Sequence, residues 1–244
     1  MKKILDIHSH ILADVDDGAK SKEESFAMLE AAYKDGTEAL CLTPHFEPES
    51  FDYTVDDLMR RFSEAKAYAA EHCPGLALYL GNEMSFRDDG AELLRAKRCL
   101  TIADSRYVLV DFFGVVEFRQ MMHCLESLQS VGYIPIVAHV ERYPFVWGKL
   151  RELTALAHEG VLFQTNVGSL MRAGKGSTER KTAEKLLARG VIDVIASDAH
   201  DITARPPCLS ACFAYVAERY GQEYAELLFH DNPKAILNNQ SIQV

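Results

Sequence analysis

The stretch "DIHSHILADVDDG", residues 6–18, places His8 and His10 two residues apart and follows them at once with Asp14, Asp16 and Asp17. Residues i and i+2 of an extended segment point to the same side, so both imidazoles can share one cation. The theme recurs along the chain: His45 in "TPH", Glu83 in "GNE", Asp111 in "YVLVDF", His139 in "VAH", then Asp198 and His200 in "SDAH". Imidazoles and carboxylates without thiolate suit manganese, iron or zinc. These donors exceed what one ion coordinates, so two or three divalent ions bridged by carboxylates are expected. Asp6 is expected one layer deeper, orienting a ligand histidine from behind.

What positions these residues is a series of short apolar runs: 3–8, 38–43, 76–81, 107–112, 133–139, 161–166 and 191–197. Each is too short for a helix and lacks polar alternation, as expected of strands buried on both faces of a parallel sheet. Helical patterns lie between them. Residues 22–35 follow Ser21 as N-cap, with Glu24 completing a capping box and Gly36 as the stop. Residues 55–72 follow Thr54, and further helices are expected over 117–131, 147–159 and 178–189, with "CLSACFAYVAERY" and "EYAELLFH" closing the chain. "GSLMRAGKGS" (168–177) reads as loop. Strand then helix, repeated, means right-handed βα units, in a doubly wound sheet or a closed barrel. No GxGxxG follows the first strand, which removes the usual support for a dinucleotide fold. Each strand has a polar or metal-competent group at its C-terminal end, Asn166 included. In a parallel barrel those ends meet on one face. His72, His123, His158 and His230 fall in or beside helices and read as surface or packing residues.

The 244 residues, 48% hydrophobic, suffice for a large core, and no linker-like stretch divides them, so one domain over 1–244 is expected. A net charge of −10 with no Lys/Arg-rich run argues against nucleic acid and anionic membrane as partners. No run is long enough for a membrane span, and nothing resembles a signal peptide, so a cytoplasmic protein with reduced thiols is expected. None of the six cysteines has the arginine of a C-x5-R phosphatase loop. "DVDDG" approaches the aspartyl-nucleophile pattern, but Gly18 stands where Thr or Val belongs. An EF-hand would need a Glu where Ser25 stands.

The succession HxH, H, E, H, DxH resembles the metal scaffold of the PHP (polymerase and histidinol phosphatase) superfamily. The longer strings "DIHSHILADVDDGAKSKEES", "TPHF", "GNE", "AHVERY" and "SDAHDITARPP" are similar to the manganese-dependent tyrosine phosphatases encoded with capsule and exopolysaccharide genes. The resemblance runs from Asp6 to "NPKAIL". It implies a distorted parallel (β/α)7 barrel with His8, His10, Asp17, His45, Glu83, Asp111, His139, Asp198 and His200 as metal ligands, Glu83 bridging two ions. It also implies phosphate binding by Arg142 and Arg205, and a phosphotyrosine protein, a bacterial tyrosine kinase, as substrate. The family's usual Glu is Asp111 here, one methylene shorter. The expected chemistry is direct attack on the phosphoryl group by metal-bound hydroxide, with no phosphoenzyme. Glu141 and Asp201 offer the two arginines a competing role as surface ion pairs. The alternatives are a small-molecule phosphomonoesterase such as histidinol-phosphate phosphatase, and a catalytically silent metal-binding regulatory protein.

Overall fold

The computed structural model describes residues 3–115, 117–174 and 176–242. Its strands are β1 (Ile4–Asp6), β2 (Thr37–Leu42), β3 (His45–Phe46), β4 (Ala77–Leu80), β5 (Glu83–Ser85), β6 (Tyr107–Asp111), β7 (Ile134–Val137), β8 (Leu162–Asn166) and β9 (Val194–Ala196). All pairings are parallel, in two ladders ordered β1-β2-β4 and β3-β5-β6-β7-β8-β9. This is a curled parallel α/β sheet. The two ladders meet through an isolated parallel bridge, Ser9 to Ala199, with Asp198 N–H donating to His8 O and His10 N–H to Ala199 O.

Two short strands, β3 and β5, lie beyond the expected runs, each following one of them after a break. Pro44 has no N–H to give a ladder, so the run from Thr37 breaks after Leu42 and resumes at His45 in the other ladder. The run from Ala77 breaks beside it, at Gly81–Asn82. The Asn82 side chain spans the gap, donating to Pro44 O at 3.0 Å and accepting from Leu100 N–H at 2.9 Å.

Along the sheet interior, period-two alternation carries apolar residues into polar ones. Leu109 precedes Asp111 on β6, Leu162 precedes Gln164 and Asn166 on β8, and Val194 and Ala196 precede Asp198 past β9. Leu109, Leu162 and Val194 join Leu5, Ile7, Ala39, Cys41 and Ile136 in one buried cluster. Two further clusters lie between sheet and helices.

The helices are α1 (Lys22–Asp35), α2 (Val55–His72), α3 (Gly90–Arg95), α4 (Phe118–Ser130), α5 (Leu150–His158), α6 (Val167–Met171), α7 (Thr178–Leu187), α8 (Ser210–Tyr220), α9 (Gln222–Glu226) and α10 (Asn232–Leu237). Thr54 and Asp57 form a complete capping box on α2. At α1 only half of the expected box forms: Ser21 accepts from Glu24 N–H, but the Glu24 carboxylate takes the N–H of Lys20. α5 begins three residues later than expected because Gly148, with φ of +84°, breaks the path from Trp147. α6 occupies part of the segment read as loop. "EYAELLFH" ends in a π-helical turn, Leu227–Asp231, not a regular helix. Among the described residues no helix is long and apolar enough to cross a membrane.

Candidate metal centre

The acidic loop after β1 exists to hold His10. It folds back so tightly that a Cβ on Gly18 would lie 2.1 Å from His10 O, which requires glycine there. The return is fixed by Ala19 N–H to His10 O and Gly18 N–H to Asp16 Oδ1. Asp16 Oδ2 then reaches His10 Nδ1 at 2.7 Å and takes His45 N–H at 2.9 Å, so one carboxylate orients two strand ends. Asp17, the next residue, faces the mouth, with Oδ1 3.3 Å from His200 Nε2 and 3.4 Å from His45 Nε2.

Glu83 opens β5 and lies at the centre. Its Oε2 stands 3.3, 3.2 and 3.0 Å from nitrogens of His8, His10 and His45, and its Oε1 is 2.8 Å from His139 Nε2. Asp198 Oδ1 lies 3.4 Å from both His8 and His10 and 3.6 Å from His200. His139 and Asp198 both leave their strands with positive φ, 29° and 51°. Such conformations are uncommon for residues other than glycine and persist where the surroundings enforce them. Here they aim both side chains at the cluster.

All nine expected ligands come together. Four overlapping groups have donor atoms within 4.8 Å of one another: His10, Asp17, His45 and His200; His8, His10 and Asp198; His8, Glu83 and His139; His45, Glu83 and Asp111. Every one of the nine belongs to at least one group, and Glu83 to two.

The donor set fits cations on local evidence. His8 Nδ1 is hydrogen-bonded to Gln164 Oε1 at 3.1 Å and His10 Nδ1 to Asp16. Both acceptors require N–H at Nδ1, which leaves each Nε2 as a lone pair unless the ring is charged. Those two Nε2 atoms face each other at 3.2 Å. Facing lone pairs repel unless something positive lies between them. Glu83 Oε2, His45 Nδ1 and His200 Nε2 are buried close to neighbours of the cluster yet make no well-directed hydrogen bond. The charges say the same. Burial works to raise the Glu83 carboxyl, but the charges of His8 and His45 and the neighbouring His10 and His139 rings hold it well below the usual range. Asp198 is likewise held low against its burial by His8, His10 and His139. Burial alone would lower His139, but its bond to Glu83 and the charge of Asp111 push it up to about 9. The buried carboxylates are thus held ionised by the imidazoles around them.

Residues whose roles were not legible in the sequence complete the site. Gln164, not Asp6, orients His8, and its Oε1 also accepts His139 N–H at 2.8 Å. Asp6 instead ties β1 to β9, accepting the backbone N–H groups of Ser197 at 3.1 Å and His8 at 3.3 Å. Asn166 donates to Asp198 Oδ2 at 2.5 Å. Tyr143, buried, donates to Asp111 Oδ1 at 2.8 Å and lies 3.1 Å from His139 Nδ1, so one hydroxyl holds two expected ligands. A buried-strand run that turns polar at Gln164 was the available signal for that residue; Tyr143 had none beyond standing in "VERY".

Arg142, on the 3₁₀ turn Val140–Arg142, and Arg205 overhang this floor. Neither guanidinium pairs with Glu141 or Asp201. Both reach Asp198 Oδ2, Arg205 at 2.7 Å and Arg142 at 3.5 Å. Glu141 is buried and accepts Asn166 N–H, and Asp201 accepts backbone N–H groups of its own loop. The arginines and the outer ligands line a cavity of about 400 Å³. No cysteine lines it: five are buried and Cys208 is half-buried outside it. Burial pushes the thiols of Cys124 and Cys212 up to about 12, which makes them poor nucleophiles at neutral pH.

Fold and site together define a class: a parallel α/β protein with a histidine–carboxylate cluster of metal-binding composition where its strands end. The chain belongs to the CpsB/CapC family of capsular polysaccharide synthesis, whose model matches residues 4–238. It is 32% identical over 243 residues to tyrosine-protein phosphatase CpsB of Streptococcus pneumoniae, covering 98% of this chain and 100% of that one. It is 29% identical to tyrosine-protein phosphatase YwqE of Bacillus subtilis, covering 98% and 93%. The crystal structures of YwqE and CpsB, described as unique metal-dependent tyrosine phosphatases, include a match with TM-score 0.89 and 26% identity over 98% of this chain and 96% of that one. Likeness of fold alone extends to histidinol phosphate phosphatase of Lactococcus lactis, with TM-score 0.58, 18% identity and coverage of 93% and 95%. The resemblance read from the motifs is borne out.

Proposed function

We propose that this chain is a metal-dependent protein-tyrosine phosphatase whose substrate is a phosphotyrosine protein, a tyrosine kinase of capsule or exopolysaccharide synthesis, in the cytoplasm. Its fold is then one distorted (β/α)7 barrel over residues 1–244, with two or three divalent ions, manganese first among them, held by the nine residues of the cluster. The observation that carries this reading is the overlap of four ligand groups sharing Glu83, His8, His10 and His45 beneath two guanidiniums.

When bound, divalent ions supply Lewis acidity and a water-derived nucleophile at neutral pH. The protein's part is placement. Asp16 and Gln164 fix the His10 and His8 rings, so those donors need no rearrangement to bind. Glu83, central and charged, is placed to be shared. Arg142 and Arg205 carry planar forks suited to phosphoryl oxygens. Their contact with Asp198 holds them at the mouth, and both remain partly exposed and able to turn to a substrate. The thiols take no part.

The histidinol-phosphatase reading has only fold likeness behind it, and a silent regulatory role sits poorly with a complete ligand set plus two arginines. The test is turnover of a phosphotyrosine peptide and of histidinol phosphate by the chain stripped of metal and then reloaded with manganese. Metal-dependent turnover that favours the peptide supports the proposal. A preference for histidinol phosphate, or equal rates with and without metal, overturns it.

A further inference from the structure

The cavity above the cluster has a divided lining. Among the described residues that line it, ten carry charged or imidazole side chains, and the other three, Phe51, Phe113 and Tyr143, are all aromatic. Tyr143 is buried and committed to Asp111 and His139. The two phenylalanines are free to offer surface. Phe113 is 81% exposed, the most exposed large hydrophobic residue described. Leaving so much apolar surface in water is unfavourable, and doing so at the rim of a polar cavity is informative.

Phe113 is held in place. Its N–H donates to Asp111 Oδ1 at 2.8 Å, so the residue follows directly from an expected ligand. Val115 N–H closes a turn on Phe112 O, and Gly114 supplies the φ of +81° that the turn needs. Phe51 comes from a different segment, the turn after β3. Its ring stacks on that of His45, 5.9 Å between centroids and 7° from parallel. That turn is pinned by Ser50 and Phe51 N–H groups to Glu47 O, by Arg87 to Glu49, and by Tyr53 to His45 O.

We infer that Phe51 and Phe113 form the aromatic walls that receive the phenyl ring of an aryl phosphate and so set selectivity for phosphotyrosine over alkyl phosphate esters. This rests on the phosphatase reading above and adds to it the residues that choose the substrate. Aromatic rings attract one another through offset and edge contacts beyond simple area burial. A phosphoserine side chain has no ring to place there, and its phosphate would have to draw the peptide backbone down against the rim.

Two phosphonates that are not hydrolysed isolate the ring from the charged head. Inhibition constants of phenylphosphonate and methylphosphonate are measured against the manganese-loaded chain, together with kcat/KM on matched phosphotyrosine and phosphoserine peptides. The expected wild-type result is tighter phenylphosphonate binding and a tyrosine preference. Phe113→Ala should lower both ratios about tenfold, the equivalent of about 1.4 kcal/mol, Phe51→Ala should lower them in the same sense, and Phe113→Tyr should restore them. The restoration separates ring recognition from damage to the neighbouring Asp111. Unchanged ratios in both alanine variants, with a wild type that prefers tyrosine, overturn this inference and leave the phosphatase reading standing. A wild type with no metal-dependent turnover or no tyrosine preference overturns that reading, and the inference with it.

Discussion

The two ends of the sheet are built from the same strands and obey opposite rules. At the amino end, alternate interior positions are Leu5, Tyr107, Leu109, Leu162 and Val194, and the end is closed by Ile236 and Leu237 of α10. At the carboxyl end the same alternation delivers Asp111, Gln164, Asn166 and Asp198, with five histidines and Glu83 around them. The first end gains free energy by removing apolar surface from water. The second gathers buried charges and leaves several atoms without a well-directed partner, which costs stability unless cations join them. The fold is thus stabilised at one end and strained at the other, and the strain falls where the chemistry is expected.

That contrast can be broken from either side. The largest effect is expected at the carboxyl end: the double variant His8→Ala, His10→Ala should lose at least one ion and nearly all turnover while remaining folded. Metal analysis, phosphatase assay and circular dichroism check this. Full activity in the metal-depleted double variant would contradict it. At the amino end the signs reverse. Leu109→Ala should cost about 2–5 kcal/mol of stability in denaturant unfolding, with metal content retained in the folded fraction. Loss of bound metal from the folded Leu109→Ala variant, with no shift in the unfolding midpoint, would show that the two ends are not separable.

A third prediction concerns the rim. Arg205→Ala should lower kcat/KM on the order of 10²-fold, and Arg205→Lys should restore little, because an ammonium lacks the fork. Metal content should hold. If the arginine served only its contact with Asp198, the alanine variant would keep normal kinetics and melt at lower temperature.

The smallest effect on turnover is expected at Asp193, just before β9. Burial raises its carboxyl from 3.8 to about 7, although it accepts Phe163 N–H at 2.8 Å. Between those values the unfolded chain is ionised while the folded one stays protonated, so the folded state binds more protons and stability falls as pH rises through that window. Asp193→Asn keeps an acceptor for Phe163 and removes the titration. Its stability advantage should grow steadily from near zero at about pH 4 towards about pH 7, by at most about 1.4 kcal/mol per pH unit. Chemical denaturation at the two pH values measures it, and a constant difference would refute the assignment.

Much of this was legible in the sequence, for physical reasons. Short apolar runs buried on both faces identify parallel strands whatever their curvature, and ligands cluster at strand ends because an active face must be assembled from separate βα units. That is why His8, His45, Glu83, His139 and Asp198 stood out. The sequence concealed whatever depends on a single backbone detail. The runs break at Pro44 and at Gly81–Asn82, and the short strands beyond, β3 and β5, join the other ladder. The role expected of Asp6 belongs to Gln164, because which side chain faces a ring depends on register near the β1 bulge between Ile4 and Leu5. Gly18 looked like a defect in a phosphatase motif and is instead the point where the acidic loop touches His10. Tyr143 became meaningful only once the chain after β7 had turned back over Asp111.

The central claim is that the carboxyl end is a multi-ion centre. Its most direct test is anomalous scattering at the manganese edge from crystals of the full chain loaded with manganese. Two or three peaks per chain are expected, each within bonding distance of several of His8, His10, Asp17, His45, Glu83, Asp111, His139, Asp198 and His200, with Glu83 touching two of them. A single peak, peaks outside this cluster, or none would contradict it.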